Sequence, residues 1–305
     1  MTEAEDVEKL KGLKYDTLIN CAACVKHFAA GDLLEKINVH GVENLIDLCK
    51  AENKKLIQIS TVSVGGEGMD GQPAETRKIC ERDLYFGQRI TNEYVRTKFL
   101  AERAVLAADV NGLNAKVIRV GNLMSRQSDG EFQINFITNA FLRTLRAYTA
   151  IGKFPIGGMN ESAEFSPIDS TAAAVLKVAA TDKRFTVFQT SNSHRIYMGD
   201  VIYAMKRYGF DIEIVSDAEF EKAVSVYAST HENSDAVLGL IAYTSRGDSK
   251  IYTIDYDSTY TTEVLYRLGY KWPITDDNYL ENAIRALDNL NFFDDDFFSD
   301  GRNMK

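Results

Sequence analysis

The stretch LIQISTVSVGGEGMDG, Leu56–Gly71, carries Gly66, Gly68 and Gly71 at the spacing G-x-G-x-x-G. If this is a dinucleotide-binding fingerprint, a sheet begins here; if not, the apolar run before it is an interior strand of a sheet already under way. A fingerprint joins its strand directly to a helix, so that a pyrophosphate meets the helix N-terminus, and an acidic residue follows about 20 positions on, after the next strand. Here Thr61–Gly65 separate the glycines from the strand, QPAETRK (Gln72–Lys78) has no apolar helical period, and Asp83 follows no strand. The glycines are therefore read as a loop, and KKLIQIS, Lys54–Ser60, as a strand before it.

Working outward supports this reading. Upstream, YDTLINCAA (Tyr15–Ala23) reads as a buried parallel strand, and Leu33, Leu34, Ile37, Val42, Leu45, Ile46 and Leu48 form a helical stripe between Asp32 and Glu52. Downstream, TNEYVRTKFLAERAVLAA (Thr91–Ala108) has helical period and NAKVIRVGN (Asn114–Asn122) is a third strand. Strand, helix, strand, helix, strand predicts a parallel sheet with right-handed crossovers. Beyond Gly121 the sequence loosens. Helices are expected in INFITNAFLRTLRAY, SPIDSTAAAVLKVAA, YMGDVIYAMKRYGF, DAEFEKAVSVYAS and DNYLENAIRALDNL, strands in FTVFQTS and DIEIVS, and turns in IGKFPIGGMNES. The expected fold is α/β: an incomplete Rossmann-like, doubly wound parallel sheet over residues 1–147 and a smaller C-terminal α/β substrate lobe over 148–305. A strand near residues 185–191 is expected to return to the sheet. The tail NFFDDDFFSDGRNMK reads as a docked or frayed terminus.

The formal net charge of −9 and pI of about 5.1 argue against a nucleic-acid partner, which needs clustered Lys and Arg. The N-terminus has no apolar leader, and no run approaches the ~20 apolar residues of a membrane span, so a cytoplasmic location is expected. Four cysteines do not make a secreted disulfide framework in a chain of 305 residues. Cys21 and Cys24 match C-x-x-C, with His27 nearby, but a zinc site would need two more ligands at suitable spacing, and a redox motif would open a helix. They are read as buried or loop cysteines, with no metal.

Of fifteen tyrosines only Tyr94 has a lysine four positions on, in YVRTK, on an expected helix where i and i+4 share a face. Lys98 beside it is expected to favour the phenolate and lower the tyrosine pKa, making a proton-transfer pair. ISTVSVGG ends a strand with hydroxyls at the carboxyl edge of the sheet, where open α/β sheets bind ligands, so Thr61 or Ser63 could bond a carbonyl oxygen becoming an alkoxide. The bland alternative is a solvated helix pair and a loop cap. The order strand, Ser/Thr, about thirty residues, Y-x-x-x-K, helix, strand resembles that of the short-chain dehydrogenase/reductase superfamily in its extended, two-lobed form.

Several blocks, in order, resemble the terminal thioester reductase domains of nonribosomal peptide synthetases: INCAACVKHF, NVHGVENLIDL, ISTVSVGG, YVRTKFLAE, RVGNLMSRQSDGEFQINFITNAF and FSPIDSTAAAVLKVA. The resemblance implies NADPH-dependent reduction of a peptidyl or aminoacyl thioester carried on the phosphopantetheine arm of a peptidyl carrier protein, giving an aldehyde or, after a second hydride, an alcohol. It implies Thr61 and Tyr94 on the developing oxyanion, Lys98 on the nicotinamide ribose, and Cys21, Ala22, Ala23, Val25, Val120 and Asn122 along the cofactor. Asn38 would support the site, or else be a helix Asn bonded to backbone. His27, Ser63, Arg126 and Asp129 would border the substrate, with a structural histidine and a loop salt bridge as alternatives.

Two departures stand out. Cys24 replaces the Asn or other small residue common in such domains. The family's opening strand and T-G-x-x-G-x-x-G loop find no counterpart, so at least two βαβ-type units of ~30 residues each are expected to be missing, and the chain to bind NADPH weakly or not at all. Rival readings are a fatty acyl or carboxylic acid reductase, which shares the catalytic residues, a sugar-nucleotide epimerase or dehydratase, which shares Tyr94 and Lys98, and a non-redox module that docks a carrier protein.

Overall fold

The computed structural model describes residues 4–25, 32–69, 77–134, 136–230 and 255–294. His27, Gly71 and the acidic tail from residue 295 lie outside them. In chain order the helices are α1 (Ala4–Glu8), α2 (Leu33–Glu35), α3 (Gly41–Ala51), α4 (Glu93–Val110), α5 (Ala140–Ile151), α6 (Ile168–Ala179), α7 (Met198–Tyr208), α8 (Asp217–Thr230), α9 (Thr259–Arg267) and α10 (Asp277–Asp288). The strands are β1 (Thr17–Asn20), β2 (Lys55–Thr61), β3 (Glu67–Met69), β4 (Gln88–Arg89), β5 (Ala115–Val120), β6 (Leu123–Met124), β7 (Lys153–Pro155), β8 (Ser162–Glu164), β9 (Ser166–Pro167), β10 (Val187–Thr190), β11 (Arg195–Tyr197) and β12 (Glu213–Val215).

The described chain divides into two compact units, which interleave along the sequence. The first is residues 1–122, 171–193 and 251–271; the second is 123–170, 194–250 and 272–305. The boundary drawn from the sequence at residue 147 falls within α5, and the first crossing between units comes at Asn122.

The first unit is built on a parallel sheet in the order β1-β2-β5-β10. Because β2 and β5 are central, both faces of each are covered, and their side chains are buried or half-buried. On one face, Leu56, Ala115 and Val117 pack against Val42, Leu45 and Ile46 of α3 and Ala101, Val105 and Ala108 of α4. Side chains alternate along a strand, so Lys116 points to the other face. There its ammonium donates to Asp182 O at 2.7 Å and to Phe185 O, in the turn after α6, while Lys55 donates to Ala179 O at the end of that helix. Cations at a helix C-terminus satisfy its last carbonyls and complement its dipole. Helices on both faces make the sheet doubly wound.

The second unit, the smaller lobe, is a mixed α/β assembly. Its core gathers Leu142 and Leu145 of α5, Phe154 of β7, Ile202 and Met205 of α7, and Ile284 of α10. Three short strand pairs, β6 with β9, β7 with β12 and β8 with β11, brace it. The stretch IGKFPIGGMNES, expected to be turns, contains β7 and a 3₁₀ turn over Ile156–Gly158, because Phe154 has a core to enter. Helix α9 was not expected either. Only Thr261 and Leu265 of it are buried, so its sequence shows too short a stripe to announce a helix.

After β2 the chain makes a 3₁₀ turn, Val62–Gly65, and enters the antiparallel pair β3–β4. Gly66 has φ +70°, and a Cβ there would sit 2.3 Å from Arg89 O. This glycine is required by close approach to another strand, in a loop that leads into a hairpin and not into a helix.

Candidate active site

The four strands of the sheet β1-β2-β5-β10 are parallel, so their carboxyl ends lie along one edge. Cys21, Ala22, Ala23 and Val25 follow β1 there, Thr61 ends β2, Val120 ends β5 with Asn122 just beyond, and Thr190 ends β10. Thr61, Val120 and Thr190 are register partners. Cys21, Ala22, Val25 and Asn122 are exposed and Ala23 is half-buried. Thr61 Oγ1 donates to Ser63 Oγ and accepts from Ser63 N, both at 3.1 Å, so it also caps the turn that follows. Arg126 and Asp129 belong to the second unit. There the guanidinium pairs with Asp129 at 2.8 Å and with Glu131, holding the Ser125–Glu131 loop together.

Helix α4 supplies Tyr94 and Lys98. Asn92 caps it, its Oδ1 accepting from Val95 N at 3.1 Å. The buried face of α4 carries Thr97, Lys98 and Glu102 among Ala101, Val105 and Ala108, three polar groups where an ordinary amphipathic helix would present apolar ones. Lys98 is 4% exposed, and its Nζ donates to Ile59 O at 2.6 Å, two residues before Thr61. Burial pushes its pKa down to about 8, opposed by the charges of Glu102 and Cys21. The expected proton-transfer pair needs correction. Burial raises the Tyr94 pKa, opposite to the lowering expected from Lys98, whose ammonium donates to the Ile59 carbonyl. Tyr94 is held as a phenol.

Two polar networks fix this edge. In the first, Ala22 N donates to Asn20 Oδ1 (3.1 Å), Asn20 Nδ2 to Gln58 Oε1 (2.9 Å), and Gln58 Nε2 to Ile59 O (2.8 Å), the carbonyl that also accepts from Lys98. In the second, Asn38 binds the Cys24 backbone twice, accepting from its N–H at 2.8 Å and donating to its C=O at 3.0 Å, and donates to Thr97 Oγ1 at 3.0 Å. Asn38 is therefore bonded to backbone, and through it the loop after β1 is tied to α4. It sits in a π turn, Lys36–His40, between α2 and α3; such an extra residue in a helix turns a side chain off the regular stripe and is common at functional sites.

Asn20 and Gln58 were not singled out from the sequence, although each is a polar residue inside an apolar run. Nor were Thr190 and Ser191, which are fully buried and whose hydroxyls lack a hydrogen-bond partner among the described residues. No cluster of three or more His, Cys, Asp or Glu suited to a metal occurs among the described residues, and no described helix is long and apolar enough to cross a membrane. The small side chains of Cys21, Ala22 and Ala23 and the ammonium of Lys98 could hold the ribose and nicotinamide end of a nucleotide cofactor, since bulky residues at the end of β1 would fill that space.

Comparison with known proteins agrees with this geometry. The NAD-binding family described as "Male sterility protein" matches residues 3–175, more than half of the chain. A linear gramicidin synthase polypeptide of Brevibacillus parabrevis is 25% identical over 274 residues, 88% of this chain and 5% of that protein. A thiolation-reductase di-domain from an archaeal nonribosomal peptide synthetase superposes with a TM-score of 0.86 at 37% identity, over 96% of this chain and 61% of that one. The reductase domain of the aureusimine biosynthetic cluster gives 0.75 at 25%, over 92% and 70%. The chain thus spans a small part of the gramicidin synthase polypeptide and under two thirds of the di-domain. It belongs to the Male sterility protein family of NAD-binding proteins, and within the Rossmann-type short-chain oxidoreductases it resembles the reductase domains of nonribosomal peptide synthetases.

Proposed function

We propose that the reductase domain to which this chain belongs reduces a peptidyl or aminoacyl thioester, presented on the phosphopantetheine arm of a carrier protein, to an aldehyde or, after a second hydride, an alcohol, with release of the thiol. The observation that supports the reading is the donation of Lys98 Nζ to the Ile59 carbonyl, which joins α4 to the strand that ends in Thr61. When bound, NADPH supplies the hydride. Thr61 and Tyr94 hydrogen-bond the thioester oxygen as negative charge develops on it. Because burial keeps Tyr94 protonated, it enters the reaction as an acid, the state a donor to an oxyanion needs. Lys98 holds the ribose, and Cys21, Ala22, Ala23, Val25, Val120 and Asn122 line the cofactor. The thiohemiacetal formed on the substrate then collapses to aldehyde and thiol. Ser63 is a proposed substrate contact.

Incubation with NADPH and a carrier-bound thioester should oxidise the cofactor and release aldehyde, and Tyr94→Phe should slow this by about 10²–10⁴-fold. Unchanged turnover in that variant removes Tyr94 from the mechanism. Turnover of CoA thioesters in preference to the carrier-bound one would assign the protein to acyl reductases of a different donor. Absence of NADPH oxidation with either would refute the reading.

A further inference from the structure

The hydrogen bonds of a parallel ladder repeat every two residues, and in the β1–β2 pair Lys55 N donates to Asp16 O. Continued in that register, the ladder would offer Ile59 O to the N–H of Ala22. β1 ends at Asn20, however, and Ala22 N donates to Asn20 Oδ1 instead. The carbonyl so released takes two side-chain donors, Lys98 Nζ at 2.6 Å and Gln58 Nε2 at 2.8 Å. Lys98 is thus anchored where β1 leaves the sheet.

Gln58 joins the two sides of this gap. It is 1% exposed in the middle of β2, and its Oε1 accepts from Asn20 Nδ2 at 2.9 Å; Asn20 is itself 6% exposed. Satisfying the backbone does not call for these amides. With apolar side chains at both positions, Lys98 would still serve Ile59 O, and water would reach the N–H of the exposed Ala22. Burying two amides costs desolvation, and what the pair adds is a fixed geometry: both ends of each amide are engaged, so neither can rotate without breaking the other's bond. We propose that Gln58 is a positioning residue for Lys98. It fixes the carbonyl on which the lysine rests and, through Asn20, fastens the turn at Ala22 to the same point, so that lysine and turn are held as one unit. This deepens the proposed function and rests on its reading of Lys98 and that turn as the cofactor side of a reductase site.

The test is NMR on the full, cofactor-free, ¹⁵N-labelled chain, following solvent exchange of the Ala22 amide and of the Lys98 ammonium protons, the latter assigned with Lys98→Met. Gln58→Met, similar in volume, should speed both by about three- to tenfold while amides of β5 keep their protection. Gln58→Glu retains an acceptor for Asn20 Nδ2 whether ionised or protonated, so Ala22 should stay within about twofold of the parent. A glutamine that merely fills space predicts the reverse ranking, because a carboxyl is harder to bury than a thioether. Asn20→Ala approaches from the other end. It should speed exchange at Lys98, a group its amide does not bond, by about threefold, and the effect should vanish on the Gln58→Met background. Unchanged Lys98 exchange in natively folded Gln58→Met and Asn20→Ala, or an Ala22 amide less protected in Gln58→Glu than in Gln58→Met, overturns the proposal. These readings use neither cofactor nor substrate. The coupling found in a protein that reduces no thioester would refute the proposed function and leave the link from Gln58 to Lys98 intact.

Discussion

Replacing Asn38 with Ala removes three hydrogen bonds at once, and the structure allows the loss to be apportioned. Cys24 N–H loses its acceptor and Cys24 C=O its donor, but Cys24 is half-buried, so water can restore part of each. Thr97 Oγ1 is fully buried and loses the amide donor, yet keeps its own bond to Tyr94 O at 2.9 Å. At about 0.5–1.5 kcal/mol per bond, with partial relief by water, the variant should lose about 2–3 kcal/mol. That corresponds to a fall of about 3–5 °C in the melting temperature. Hydrogen exchange gives the sharper assay, because the Cys24 amide is protected only while Asn38 Oδ1 holds it. Its exchange should accelerate in Asn38→Ala while amides of β2 and β5 keep their relative protection. A double-mutant cycle with Thr97→Val should show coupling of about 0.5–1.5 kcal/mol. Native protection at Cys24, or a loss below about 0.5 kcal/mol, would refute the claim that Asn38 fastens the loop after β1 to α4.

Two further outcomes are expected. Gly130 has φ +79°, and a Cβ there would lie 2.4 Å from Asn282 O on α10, so Gly130→Ala should cost about 2–4 kcal/mol by urea denaturation. Gly112→Ala, at φ +101° with nothing within 4 Å, should cost only the backbone strain of about 1 kcal/mol, and equal losses would discount the contact. As for pH, burial holds Lys98 and Lys116 down to about 8 from 10.5, so between those values the unfolded chain binds protons that the folded one does not. Stability should therefore rise with pH above about 8, by at most about 1.4 kcal/mol per unit for each lysine. Cys49, held up to about 11 by burial, and the buried Tyr279, also raised, act oppositely as pH passes their ordinary values, so the urea midpoint should turn over above about pH 10. A steady decline from pH 7 would refute this balance.

The central strands and helices were legible because their signals are local. Leu56–Thr61 and Ala115–Val120 are short apolar runs, and the stripe from Leu33 to Leu48 has helical period, so the alternation of strand and helix could be read directly. Tyr94 and Lys98 were placed on one helix for the same reason. The direction of their proton chemistry was not legible, since it depends on burial and on a carbonyl 39 residues away. The π turn at Lys36–His40 also has no local signature: its sequence continues the helical stripe, and the register change appears only where Asn38 meets Cys24.

The sequence by itself determined that this chain forms a parallel α/β sheet, because periodicity is a property of neighbouring residues, and the order of Thr61, Tyr94 and Lys98 along it resembles that of short-chain reductases. Only the tertiary structure decided which polar groups inside apolar segments meet: Asn20 with Gln58, Asn38 with Cys24 and Thr97, Arg119 with Glu102 and the Cys80–Asp83 turn. The cost of burying each one demands a partner, and that demand is met across the sheet, between residues far apart in the chain.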